Sequence, residues 1–168
     1  MARMLRGCFS FFLAVVCVTG SIACHASAPE TSAAAFILME AESGRILASR
    51  NETQERSIAS TTKIMSALLC LESGDLDTEF TVDSQAIQVE GSSMGLVEGD
   101  TVTKRALCYG MLLPSGNDAA GATAVKLAGS YAAFAEQMNR KAQELGMTQS
   151  HFVTPSGLHD AEHYSTAR

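Results

Sequence analysis

Between Ser57 and Leu71 the chain carries a single charge, Lys63, in a stretch otherwise uncharged and rich in Ile, Met, Leu and Cys. A run this apolar must be buried, and it is too long for an ordinary strand. It reads as a core helix from Ser60 to Glu72, with Gly74 placed to close it. A lysine inside such a helix loses hydration, which favours the neutral amine. A neutral amine can take up a proton, which an exposed lysine at neutral pH rarely does. Ser60 stands three residues earlier, so at about 100° per residue the two side chains lie about 60° apart on one face. Oγ and Nζ can therefore come within hydrogen-bonding reach. The start of a helix also presents free N–H groups and the positive end of its dipole, which stabilise charge on an attacked carbonyl. The plainer alternative is an N-cap serine followed by a lysine that snorkels to the surface. S-x-x-K alone does not separate the two.

The rest of the pattern is α+β. Ala35–Glu40 and Arg45–Ser49 are strand-like, and Gly44 between them suits a hairpin turn. Asp75–Thr101 is mixed, with β-like pieces at Glu79–Val82 and Met94–Val97. Helices are expected from Thr103 to Leu112 and from Asp118 to Leu127. A third, after Ser130, places Tyr131, Phe134, Ala135, Met138, Ala142 and Leu145 on one face. The tail from Met147 is loop-rich, and Tyr164–Arg168 reads as the start of another helix. Two strands form only a marginal sheet unless others join them.

The first residues differ in kind. Arg3 and Arg6 precede an apolar run from Gly7 to Ala23, and Ala26-Ser27-Ala28 follows. A basic start, an apolar centre and an A-x-A end describe a secretory signal peptide, cleaved after Ala28. The expected organisation is thus 1–28 as export signal and 29–168 as part of one catalytic domain. The leader holds two of the 12 basic residues and none of the 18 acidic ones, leaving ten against 18, a net −8. That balance argues against a nucleic-acid binder working by phosphate neutralisation. Cys8, Cys17 and Cys24 leave with the leader, while Cys70 and Cys108 remain in apolar helical patterns. They could pair in an oxidising compartment or stay as buried thiols. His159 and His163 are four apart but lack an H-E-x-x-H pattern and a third ligand, so they read as polar loop residues. Asp75, Asp77, Asp83 and Asp100 are scattered among turns and form no calcium loop.

A second element bears on Ser60 and Lys63. Pro114 ends a helix, Gly116 permits a tight turn, and Ser115 and Asn117 can then point from a loop into a cleft. S-x-x-K followed by S-x-N is a signature of penicillin-binding proteins and related β-lactamases. Ala59-Ser60-Thr61-Thr62-Lys63-Ile64-Met65 resembles the nucleophile segment of the low-molecular-weight penicillin-binding proteins, the serine-type D-alanyl-D-alanine carboxypeptidases of peptidase family S11. Gly91–Met94, Leu113–Ala120, Pro155–Leu158 and His163–Ala167 resemble the same family, in the same order. Glycine at 116 is closer to the carboxypeptidases than to class A β-lactamases.

The resemblance implies a β-lactamase/transpeptidase-like fold, a helical cluster against an antiparallel sheet. It implies Ser60 as nucleophile, Lys63 as its proton acceptor, Ser115 as proton relay and Asn117 as the group that binds the substrate amide. The substrate would be a peptidoglycan stem peptide ending in D-Ala-D-Ala, with β-lactams as covalent inhibitors and no metal or organic cofactor. The enzyme would act outside the cytoplasm, in the cell envelope or periplasm. The family's third motif, K-[TS]-G, is missing, since no lysine follows Lys141. The chain therefore reads as the front part of a longer enzyme, truncated before the later strands, and a C-terminal segment could add membrane association. The alternatives are a non-catalytic homologue that binds cell-wall peptides or a protein partner, and a class A-like β-lactamase.

Overall fold

The computed structural model describes residues 30–168, so the expected export signal, with Cys8, Cys17 and Cys24, lies outside the described residues. Strands β1 (Phe36–Met39) and β2 (Ile46–Arg50) pair antiparallel, with Phe36 opposite Arg50 and a register shift at Leu38/Met39. Gly44 takes φ +70 in the turn, as expected of a residue without a Cβ. The Glu40 carboxylate closes the turn by accepting from the Glu42 and Ser43 N–H groups. A single turn of 3-10 helix, Ala59–Thr61, leads into α1 (Thr62–Glu72). Strand β3 (Glu79–Thr81), the short α2 (Ser84–Ile87) and strand β4 (Thr101–Thr103) follow. Then come α3 (Lys104–Leu112), α4 (Asn117–Ala128) and α5 (Tyr131–Glu144).

The α+β class is as expected, but the strand content differs in detail. Among the described residues the strands form two separate ribbons, β1-β2 and β3-β4. Met94–Val97 is not a strand. The N–H groups of Met94, Gly95 and Leu96 are spent on the Asp118 carboxylate, and β3 pairs with Thr101–Thr103 instead. Nor does Tyr164–Arg168 start a helix. Tyr164 pairs with His151 and Ser165 with Arg56 in antiparallel bridges, which leaves the segment extended.

Helix α4 organises the interior. Its first eight residues, Asn117–Ala124, are all buried, and most are Ala or Gly. Small side chains let α1, α3, α2 and α5 all approach it closely. At Gly121 the approach is tightest. A Cβ there would stand 2.0 Å from the Ala86 carbonyl oxygen and 2.2 Å from Tyr131 Oη. Two apolar clusters meet along this helix. One gathers Ala67, Cys70, Leu107, Cys108 and Met111 with Ala119 and Ala122; the other gathers Met65, Phe134, Met138 and Phe152 with Ala124. Cys70 and Cys108 are buried free thiols. Burial, reinforced by the neighbouring Cys108, pushes the Cys70 thiol up to about 12, so it stays protonated and inert.

Helix ends follow local chemistry. Thr103, Ser130 and Asp83 accept from Ala106, Ala133 and Gln85 N–H groups as N-caps. On α5 the expected face is buried at Phe134, Ala135, Met138 and Ala142, but Leu145 falls past the last turn and is 56% exposed. Helical periodicity stops where the helix stops. Phe134→Ala should therefore cost about 3–5 kcal/mol in urea unfolding. Leu145→Ala should stay within about 0.5 kcal/mol, as for an ordinary surface residue.

Candidate active site

Lys63 is 1% exposed, in the first turn of α1. A buried ammonium needs an acceptor for each of its three N–H bonds. Nζ has three oxygens in reach: Ser60 Oγ at 3.1 Å, Ser115 Oγ at 3.3 Å and the Ser156 carbonyl at 3.1 Å. These come from three separate segments of the chain. Burial pushes the Lys63 pKa below that of a free lysine, and no charge opposes it. The structure thus brings Ser60, Lys63 and Ser115 together. The snorkelling alternative fails, because the amine points inward.

Ser60 lies in the 3-10 turn before α1 and is exposed, so its oxygen is open to an incoming molecule. The serine does not cap the helix by its side chain, which leaves Oγ available to Lys63. Ala59, just before it, holds φ +45, and Ser115 holds φ +60. Both are left-handed conformations that cost a non-glycine residue about 1 kcal/mol or more. Each is held in place by its surroundings. Ala59 O abuts Gly157, where a Cβ would come within 1.9 Å of it. Ser115 is followed by Gly116 and Asn117, whose N–H groups donate to Gly110 O at 2.8 Å and Ser92 O at 2.7 Å.

Asn117 was expected in a loop and is instead the first residue of α4, buried with 6% exposed. Its Nδ2 donates to Glu90 O at 2.6 Å, so one of its two N–H bonds ties down the Glu90–Ser92 segment. The second N–H and Oδ1 are what remains for a ligand.

Four supports escape sequence reasoning. The Ser156 carbonyl is backbone and carries no residue signature. Ser66 Oγ donates to Pro155 O at 2.6 Å and presses that same segment onto α1. His163 lies in a loop as expected but is buried, 3% exposed and bonded to Thr62, whereas His159 is exposed. Its burial follows from the bridge at Tyr164, which draws the tail inward. Asp118 is the fourth. Its carboxylate accepts from Ser93 Oγ and from the N–H groups of Met94, Gly95, Leu96 and Ala119. Burial alone would raise its pKa, but these hydrogen bonds outweigh burial and the net shift is downward. Asp118 thereby fixes the 93–96 loop, which directly follows the Glu90 and Ser92 carbonyls that Asn117 donates to. An acid at the start of α4 was the one visible signal.

The scaffold is shared with solved penicillin-binding proteins. The structure superposes on penicillin binding protein 6B from Escherichia coli with a TM-score of 0.79 at 35% identity, covering 88% of this chain and 50% of that one. A D-alanyl-D-alanine carboxypeptidase from Mycobacterium tuberculosis H37Rv superposes with a TM-score of 0.80 at 35% identity, over 86% of this chain and 55% of that one. The family described as D-alanyl-D-alanine carboxypeptidase, Peptidase S11, matches residues 22–168, and the chain belongs to it. The D-alanyl-D-alanine carboxypeptidase DacF of Bacillus subtilis is 35% identical over 136 residues, 78% of this chain and 35% of its own length. DacB2 of Mycobacterium tuberculosis is 39% identical over 130 residues, 77% of this chain and 44% of its own length. The chain thus spans between a third and a half of the length of these curated relatives.

Asp118→Asn should lower stability at neutral pH by about 1–3 kcal/mol, the worth of charged hydrogen bonds to buried N–H groups. The lowered carboxyl pKa sets the sign. The contribution is complete above the unfolded value of about 3.9 and is lost as pH falls through the folded value. The gap between wild type and Asp118→Asn in urea unfolding should therefore close in acid. A constant gap down to the acid transition would show that charge is not what Asp118 contributes.

Proposed function

We propose that the chain carries the nucleophile side of a serine-type D-Ala-D-Ala carboxypeptidase, exported behind a signal peptide at residues 1–28. The observation that supports this best is a buried lysine, depressed in pKa, with Nζ 3.1 Å from Ser60 Oγ. In this reading Ser60 Oγ attacks the carbonyl carbon of the penultimate D-alanine of a peptidoglycan stem peptide. Its proton passes to neutral Lys63 Nζ as the C–O bond forms. The tetrahedral intermediate then expels the terminal D-alanine, whose nitrogen takes a proton relayed through Ser115. Ser115 Oγ lies 3.3 Å from Nζ, so one hydroxyl connects the lysine to the departing amine. Asn117 holds the substrate amide with the donor and acceptor left free by its bond to Glu90 O. Water attacks the acyl ester and releases a peptide one residue shorter. β-Lactams present a strained amide to the same serine and acylate it.

The Ser60 N–H group, at the start of the helical segment, supplies one oxyanion donor. Among the described residues no helix is long and apolar enough to cross a membrane. Export rests on the leader pattern alone.

Fluorescent penicillin should label the full chain at Ser60, and Ser60→Ala should abolish the label. Persistent labelling of Ser60→Ala, or none in the wild type, would sink the assignment. The acylation rate should rise with pH as Lys63 loses its proton, with a midpoint below the value of about 10.4 for a free lysine. Lys63→Arg cannot deprotonate and should show neither the rate nor the titration. A midpoint at or above 10.4 would exclude Lys63 as the base.

A further inference from the structure

His163 is a buried titratable side chain that the proposed chemistry does not use. Its Nδ1 lies 3.1 Å from the Val153 N–H nitrogen and 3.3 Å from that of Thr154. Both groups can only donate, so Nδ1 must be the lone-pair nitrogen. The ring proton is then on Nε2, which lies 2.8 Å from Thr62 Oγ1 and donates to it. Phe152 packs edge-on against the imidazole, with ring centroids 5.6 Å apart at 87°, and so fixes its plane. Burial lowers the His163 pKa, with Asp160 opposing and His151 assisting, which favours the neutral ring that this bonding requires.

The two ends of the ring hold two different walls of the lysine's cage. Thr62 lies between Ser60 and Lys63 and fixes the first turn of α1. Val153 and Thr154 lead into Pro155-Ser156, whose carbonyl accepts from Lys63 Nζ at 3.1 Å. Gly157 fits between the walls, where a Cβ would meet Thr62 Oγ1 at 2.6 Å and Ala59 O at 1.9 Å. A brace across this gap therefore holds the Ser156 carbonyl against Lys63 Nζ on the side of α1 that carries Ser60.

We propose that His163, neutral and protonated on Nε2, is a positioning residue for acyl transfer, bracing Ser60 and Lys63 through Thr62 Oγ1 and holding the Ser156 carbonyl through Val153 and Thr154. The inference rests on the reading of Ser60 as nucleophile. It assigns the Thr62 hydroxyl a function distinct from helix capping, since Thr62 accepts from a residue 101 positions away.

The test uses the full chain and a fluorescent penicillin, with the acylation rate constant and the half-saturating concentration measured separately. Thr62→Val keeps the side-chain shape and removes the oxygen. Its rate constant should fall about 10- to 100-fold, the scale of a misplaced reacting group, with half-saturation within about twofold. Thr62→Ser restores the hydroxyl and should recover most of the rate. Nitrogen-15 NMR of the wild-type imidazole provides a readout that needs no variant, and it should report the Nε2-H tautomer. An Nδ1-H tautomer would overturn the inference. So would Thr62→Val acylating at the wild-type rate, or losing rate only in proportion to its folded fraction. Mass spectrometry separates the two readings. Wild-type acylation at Ser60 with an unaffected Thr62→Val overturns the brace alone, whereas no Ser60 adduct in the wild type overturns both.

Discussion

A buried ammonium must find an oxygen for every N–H bond it carries, or desolvation drives it to the neutral form. Lys63 has three oxygens in reach because two distant segments converge on its own, while burial still favours the neutral amine. Ser60 comes from the turn before α1, Ser115 from the turn between α3 and α4, and the Ser156 carbonyl from the tail. Helical spacing places Ser60, but Ser115 and the Ser156 carbonyl, 52 and 93 residues from Lys63, have no local reason to be where they are. Each is put there by other contacts, and those contacts account for most of the irregular structure around the site. The hydroxyl of Ser66 pins Pro155, Asn139 brackets Phe152 through both its Oδ1 and Nδ2, and Asp118 gathers the 93–96 loop.

Strain is distributed in the same way. Ala59 and Ser115 adopt left-handed backbone on either side of the lysine, and neither gains anything locally by doing so. What the conformations achieve is orientation: one turns Ser60 out of the helix that follows it, the other brings Ser115 to within 3.3 Å of Nζ. Strained residues persist where surrounding structure over-determines them. Here the surroundings are a close-packed helix of Ala and Gly and a glycine, Gly157, on which Ala59 O rests.

How much could be read from the sequence follows from how local each cause is. The lone charge in Ser57–Leu71 pointed to a buried lysine, and the three-residue spacing put Ser60 beside it, because helical geometry is a local property. The boundaries of α3, α4 and α5 were legible for the same reason, through Thr103, Pro114 and Ser130. Met94–Val97 is β-like as a short, mostly apolar piece beyond the turn at Gly91. Its N–H groups were claimed by a carboxylate over 20 residues away, which no local pattern records. The burial of His163 is non-local in the same way. Beside Gly157 and among polar neighbours the residue has the composition of a loop, yet the pairing of Tyr164 with His151 buries it. The Ser156 carbonyl was invisible altogether, since any residue supplies one. Only resemblance to a family, not residue chemistry, drew attention to Pro155–Leu158.

The polar stripe on α1 sharpens the point about stability and function. Thr62, Lys63 and Ser66 are all buried on a helix whose other inward residues are Met65, Ala67 and Cys70. Apolar side chains of similar size in these three places would avoid desolvating two hydroxyls and an amine, and buried polar groups replaced in concert by apolar ones are often neutral or stabilising. Packing therefore does not demand this stripe. Hydrogen bonding does, because each of the three meets one polar atom of the 153–163 segment: His163 Nε2, Ser156 O and Pro155 O. A tail lacking regular helix or strand is thereby held against α1 by side-chain bonds in place of a backbone ladder. That arrangement leaves the Lys63 amine dry, oriented and one hydrogen bond from the exposed Ser60.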